Sequence, residues 1–285
     1  MSDLARRIVA RYLAAFNETE SMNVRIAARY KSKKKVETAD GGEMTVYEYS
    51  DRQIANRDKN KAERIEKLRK SVGKLRAKVK RDLHSQDPER TLLALAVGLM
   101  DTTAERVGNE GSAKDGHFGV TGWRKKHVSF GKGGVTIRYV GKSGVKHEKK
   151  ITDVAIKQAL RTAYDNLDDD DAEILSWDGG KVSAEAINKY LAAFDITAKD
   201  IRGLRANTEI LERLKAERKK GGKLPDDKKK RAKQLKEEFL SALDATAEVI
   251  GHEASTLRSQ YLVPSLEERY LQDGEIIEDL SVDRP

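Results

Sequence analysis

The 285-residue chain contains no cysteine. That absence excludes a disulfide framework, a thiol nucleophile and every cysteine-based zinc site, and it fits a reducing cytosol more easily than an oxidising compartment. No apolar run approaches the ~20 residues that a membrane-spanning helix needs, and the opening stretch MSDLARRIVARYLAAF has neither a continuous apolar core nor a small-residue cleavage site. A soluble, non-exported protein without a membrane partner is expected. The five histidines, His84, His117, His127, His147 and His252, show no His-x3-His or His-Glu-x2-His spacing, so no metal site is expected. Four adjacent carboxylates, Asp168 to Asp171, lack the spacing of a calcium loop and read as a solvated turn. A phosphate-cradling Gly-x4-Gly-Lys-Ser/Thr loop and a Gly-x-Ser-x-Gly elbow are both missing, and no cofactor is expected.

What the chain does have is positive charge, unevenly placed. Lys and Arg outnumber Asp and Glu by 56 to 47, a net charge of +9. Asp58 to Arg81 carries eleven basic and three acidic residues, and Arg213 to Lys236 twelve and three, so everything outside these two blocks is net −8. Two concentrated basic blocks suit a polyphosphate partner, because each neutralised phosphate releases condensed counterions. Two solvated helix faces would give the same composition.

The length predicts about two domains. Residues 1 to 20 read as a short helix, followed by the basic stretch RYKSKKK and a strand at Met44 to Tyr49. Ile65, Leu68, Val72, Leu75, Val79 and Leu83 recur at helical spacing, which predicts a long helix with Lys and Arg on its other faces. After a break at Ser85 to Pro88, Thr91 to Val107 reads as a buried helix ending at Gly108 and Asn109. A domain boundary is placed near residue 86. From His117 to Ile151 a period-two pattern with Gly-rich turns predicts a small antiparallel sheet. Helices are expected at Asp153 to Asn166, Ser183 to Phe194, Asp200 to Ala216, Glu237 to Ile250 and around Leu257 to Leu262. Residues 218–233 read as a basic linker or hairpin between helices, and the last fifteen residues as an acidic, poorly ordered tail.

The expected fold class is therefore α+β, mainly α: a helical domain with a small antiparallel β-sheet (87–285), preceded by a basic segment with a long helix (1–86).

Near the end stands I-G-H-E-A-S-T-L-R-S-Q-Y-L, with His252 nine residues before Tyr261. A lone tyrosine near a helix end is ordinarily a core residue. Here, though, the segment resembles the type IB DNA topoisomerases and their relatives the tyrosine recombinases, and four further segments match in order. A-E-R-V-G-N-E resembles the Arg-x-Gly-Asn motif, which puts Arg106 at the first catalytic arginine. F-G-V-T-G-W-R-K-K-H-V resembles the strand that leads to a sequence packing near DNA. Y-V-G-K-S-G resembles the hairpin Gly-Lys motif and nominates Lys142, and K-D-I-R resembles the Lys-x-x-Arg motif and nominates Arg202.

The likeness spans roughly residues 89 to 270. Lysine at position 199, where recombinases typically carry histidine, and the Arg-x-Gly-Asn-Glu sequence favour the topoisomerases. A tyrosine recombinase, or a DNA-binding protein of this fold that never cuts, are the alternatives. Rivals also lie near three of the nominees: Lys146 for Lys142, Arg205 for Arg202 and Tyr270 for Tyr261.

The resemblance implies an enzyme that relaxes supercoiled duplex DNA through a 3′-phosphotyrosyl intermediate, without ATP or metal, acting as a monomer in the cytoplasm (nucleoid-associated) or another intracellular DNA compartment. Tyr261, Arg106, Lys142, Arg202 and His252 would be its catalytic residues. The set makes chemical sense by itself, since phosphodiester exchange needs a nucleophile, a proton donor for the leaving oxygen and positive charge around the non-bridging oxygens. The N-terminal part shows no clear run of strands like that of the poxvirus-type enzymes.

Overall fold

A computed structural model describes residues 30–37, 42–141 and 144–276. The helix expected within residues 1 to 20 and the end of the acidic tail lie outside the described residues, as does Lys142. The chain divides into two compact units, 1–60 and 61–285. The division falls inside the long helix rather than near residue 86. Its physical reason is that Ala62, Ile65, Leu68, Leu75 and Val79 are all buried, so the apolar stripe commits the later part of that helix to the core of the second unit.

In the first unit, strands β1 (Tyr30–Glu37) and β2 (Glu43–Tyr49) form an antiparallel hairpin with Lys33 opposite Tyr47 and Lys35 opposite Thr45. YKSKKK thus supplies most of strand β1. Its lysines do not oppose pairing because they are neutralised or solvated: Lys35 meets Glu43 at 2.6 Å, Lys31 meets Asp51 at 2.7 Å, and Lys33 lies over the Tyr47 ring. Helix α1 (Asp51–Asp82) follows.

The second unit is built around helix α2 (Pro88–Thr103), capped by the Asp87 carboxylate and started by proline at its first turn. Ala94, Leu95, Ala96, Val97 and Leu99 have no exposed surface, so the middle of the helix is apolar on every side because it is surrounded. It ends at Thr103, earlier than the expected Val107, because Ala104 turns left-handed at φ 55°. The chain then continues in extended form, and the Arg106 and Val107 carbonyls accept from the Val120 and Thr121 amides at 2.9 Å. Gly108 (φ +92°) makes this possible, since a side chain on the facing Gly119 would meet its backbone at 2.6 Å. Asn109 caps the short helix α3 (Glu110–Lys114).

Residues 120–122 and 125–127 form single 3-10 turns rather than part of the sheet. The sheet proper is β3 (Val128–Gly131), β4 (Gly134–Val140) and β5 (Lys146–Ile151), antiparallel in that order. Then come α4 (Val154–Asp165), a two-residue ribbon of β6 (Ser176–Trp177) with β7 (Gly180–Lys181), and α5 (Ala184–Ala192). Helices α6 (Ala198–Gly221) and α7 (Lys228–Ile250) pack as a long hairpin. Most of 218–233 is therefore helical, and only 222–227 connects. The chain closes with α8 (Ala254–Gln260) and α9 (Pro264–Asp273). A mainly helical α+β fold with small antiparallel sheets is what these residues build.

Candidate active site

Arg106, Arg202, His252 and Tyr261 line one open cleft of about 530 Å³, together with Glu105, His117 and Lys199. The four come from separate places in the chain, and each is held by a distinct local device.

His252 follows a helix end. Gly251 adopts φ 74°, its amide donates to the Glu248 and Ala247 carbonyls, and the His252 amide donates to Ala247 at 2.9 Å. This double closure of the last turn needs a residue that tolerates the left-handed conformation. The Val249 and Ile250 carbonyls of the same turn accept from Lys149 Nζ at 3.0 Å and Arg202 Nη2 at 2.7 Å. Two cations thus meet the negative end of the helix dipole.

Arg202, in the second turn of α6, is only 3% exposed. Its counterion is Glu105, whose Oε1 lies 3.3 Å from Nη1. Glu105 also accepts from the Tyr139 hydroxyl and from the Arg106 amide at 2.8 Å, and lies 3.8 Å from Lys149. Burial works against the Glu105 charge, but Arg202 and Lys149, with the hydrogen bonds from Tyr139 and Arg106, hold its carboxyl below the ordinary value. For Arg202 and Lys149 burial dominates and lowers both. One buried carboxylate therefore organises two buried cations and the backbone beneath a third.

Arg106 is half-buried, its Nη2 3.0 Å from Nε2 and 3.3 Å from Nδ1 of His252. Tyr261 ends α8, its ring 5.0 Å from that of His252 and under the Arg202 guanidinium at 5.5 Å. Asn207, fully buried on α6, holds the backbone that follows the tyrosine, on both sides of Leu262. Its Nδ2 donates to the Tyr261 carbonyl and its Oδ1 accepts from the Val263 amide, each at 2.9 Å.

The rivals separate. Tyr270 has no exposed surface and donates its hydroxyl to Glu238 at 2.6 Å, as a core residue does. Arg205 lines a different cavity, with Arg76, Lys150 and Ile156. Lys146 does not separate so cleanly, because it shares a second cleft of about 550 Å³ with Arg106, Arg202 and His252. His127, in the KKHV stretch, is a fold element: its Nδ1 accepts from the Arg124 amide at 3.0 Å, and burial with Lys126 and Arg124 nearby lowers its pKa to about 4.

Two arginines and a histidine lining one cleft with a tyrosine are what a phosphodiester exchange would use. A family model describing the eukaryotic DNA topoisomerase I catalytic core matches residues 50–271. The chain belongs to the type IB DNA topoisomerases. The enzyme is also similar to a protein of Acanthamoeba polyphaga mimivirus named DNA topoisomerase 1B, at 26% identity over 254 residues, which cover 84% of this chain and 73% of the viral one. The topoisomerase is thus a DNA-binding isomerase, and none of its described helices is long and apolar enough to cross a membrane.

Motif spacing nominated four residues that the fold brings to one cleft. Glu105, Tyr139, Lys149 and Asn207 escaped it. Glu105 stands beside a nominated arginine, and that adjacency is the signal the sequence offered. Lys149 looks like any of the alternating charges of H-E-K-K, and Asn207 like a polar residue on a helix face.

Proposed function

We propose that the enzyme relaxes supercoiled duplex DNA by nicking one strand through a 3′-phosphotyrosyl link and resealing it, with Tyr261 as nucleophile, Arg106, Arg202 and His252 on the non-bridging oxygens and Lys142 as general acid. The observation that carries this reading is the convergence of Tyr261, both arginines and His252 on one cleft.

The Tyr261 oxygen, its proton released to solvent in the open cleft, attacks phosphorus. The P–O5′ bond breaks, and the departing 5′ oxygen takes a proton from the Lys142 ammonium; religation runs the same steps backwards. Charge spreading onto the non-bridging oxygens meets two guanidinium forks, whose planar donors match phosphate geometry. Arg202 is fixed by Glu105 and Ile250 before any substrate arrives, so little reorganisation accompanies the reaction. One phosphodiester replaces another, so the nick is nearly isoenergetic and requires neither nucleotide hydrolysis nor metal. Torsion in the DNA drives the strand rotation. A monomer encloses all of these groups in one chain, and the enzyme works wherever the cell keeps its duplex DNA.

Relaxation of supercoiled plasmid should proceed in excess EDTA without nucleotide, and a strict requirement for either would overturn the mechanism. Tyr261→Phe should bind DNA, relax nothing and form no adduct in denaturant-quenched reactions. Tyr270→Phe should still form the adduct at Tyr261, at a cost of about 2 kcal/mol in stability for the lost hydrogen bond to a buried carboxylate. An adduct mapped to Tyr270 would reject the assignment.

A further inference from the structure

Arg106, Arg202 and His252 line two clefts, one of about 530 Å³ and one of about 550 Å³. Of these two, Tyr261 lines only the first and Lys146 only the second. The two arginines and the histidine therefore stand where the clefts meet, with the tyrosine to one side and the lysine to the other.

Displacement at phosphorus brings the attacking and departing oxygens roughly into line, with the non-bridging oxygens around the equator between them. When the shared wall holds those equatorial oxygens and the attack comes from the first cleft, the departing 5′ oxygen points into the second. The leaving strand begins there, and the first anion along it is its first internucleotide phosphate.

Lys146 is the cation placed to meet that phosphate. It opens β5 opposite Val140, just past the turn whose base the Gly141 amide closes by donating to Val145 at 2.7 Å. The ladder thus fixes its backbone while its side chain stays exposed. The charges that follow it on the strand are already engaged, Glu148 with Arg138 at 2.9 Å and Lys149 with Glu105 at 3.8 Å. Lys146 itself has no ion-pair partner among the described residues. Glu248 and Glu253 also line this cleft, and both are exposed. They would repel a run of phosphates, so the cleft suits one phosphate beside the lysine rather than a length of backbone.

We propose that the second cleft receives the 5′ end of the leaving strand and that Lys146 holds that strand's first internucleotide phosphate, keeping the end at hand for resealing. In resealing, the 5′-hydroxyl oxygen attacks phosphorus and the P–O bond to Tyr261 breaks. The hydroxyl proton passes to the Lys142 amine, and the phenolate regains a proton from solvent. This inference rests on the reading of Tyr261 as nucleophile.

The test traps the Tyr261 adduct on DNA whose short leaving strand diffuses away, then adds complementary 5′-hydroxyl strands and measures the resealing rate against their concentration. Lys146→Gln should raise the half-saturating concentration ~10-fold, as the loss of one charge-assisted contact does, while the plateau rate moves at most a few-fold. Lys146→Arg should restore the parental value. A neutral methylphosphonate at the first internucleotide phosphate of the added strand should raise the parent's half-saturation to a similar extent and that of Lys146→Gln no further.

Independent, multiplying losses from the lysine and the methylphosphonate would mean that the two do not meet, and would reject the proposal. Parental half-saturation in Lys146→Gln would reject it as well, leaving the adduct chemistry in place, whereas a parent that forms no adduct at Tyr261 would reject the nucleophile and this inference together. Cleavage of DNA with a bridging 5′-sulfur at the scissile phosphate separates holding from proton donation, because a thiol, with a reference pKa near ~8.5, leaves as thiolate with little help. Sulfur should restore Lys142→Ala and give no selective gain to Lys146→Gln; selective restoration of Lys146→Gln would make Lys146 the acid and overturn its role as the strand's holder.

Discussion

The two ends of the α6–α7 hairpin carry the same kinds of residue in opposite surroundings. At the base, Arg202 is buried against Glu105 and the end of α7, at the wall of the cleft. At the tip, Lys219, Lys223, Lys228, Lys229 and Lys230 are all exposed. Between them Arg218 bonds Glu238 and the Gly222 carbonyl, and Arg231 donates to the Pro225 carbonyl at 3.0 Å, which ties the connection down. A buried cation is fixed in direction and effective at one point in a low dielectric; exposed cations are adjustable and act as a field. One hairpin thus offers a site-specific arginine and a diffuse basic surface, and the two should fail in different ways.

The largest difference is expected at the base. Arg202→Ala should lower single-turnover cleavage by ~10² to 10³, and a bridging 5′-sulfur should not restore it, since on the proposed mechanism the lost contacts are to non-bridging oxygens. The same change strands Glu105 without its counterion and should lower stability by about 3 to 5 kcal/mol, read as a fall in Tm. Sulfur rescue equal to that of Lys142→Ala would erase the distinction between the two residues.

At the tip the effect should be intermediate and should appear in affinity. If six or more phosphates are neutralised, binding falls by ~10³ or more between 50 and 200 mM salt. Replacing Lys219, Lys220, Lys229 and Lys230 by glutamine should weaken binding uniformly across sequences and flatten the salt slope by about 0.9 for each phosphate contact removed. An unchanged slope would take the tip out of the DNA interface and leave the basic face of α1 to account for it.

The smallest effect concerns pH, again at the base. The Glu105 carboxyl is held below its ordinary value in the folded protein, so it contributes stability above the ordinary glutamate range. That contribution is lost as pH falls through the lowered folded value. Glu105→Gln should therefore be less stable than the parent at neutral pH, with the gap narrowing as the medium is acidified; chemical melts at several pH values between 3 and 7 would show it. A gap that widened on acidification would mean that the group is not ionised in the fold.

Much of this base was legible in the sequence. The His252–Tyr261 spacing and the motifs around Arg106 and Arg202 singled out side chains that share a cleft, and the apolar periodicities located most of the helices. What escaped depends on three-dimensional placement. The helix end at Ala104 follows from a left-handed residue that alanine does not announce. The unit boundary lies within α1 because the apolar stripe of one continuous helix belongs to the second core. YKSKKK pairs as a strand because acidic partners sit across or just beyond the hairpin, which composition alone could not reveal. Glu105 and Lys149 are ordinary charges until they are seen to be buried together with Arg202.

Asn207 gives the nucleophile a property that chemistry alone would not require. By gripping the peptide on both sides of Leu262, it confines Tyr261 to side-chain rotation over a stationary backbone. On the proposed mechanism, the phosphorus joined to that tyrosine stays at nearly the same coordinates however often the other strand swivels. The free 5′ end then returns to an unmoved target, so the fidelity of resealing is stored in one amide side chain rather than in any memory held by the DNA.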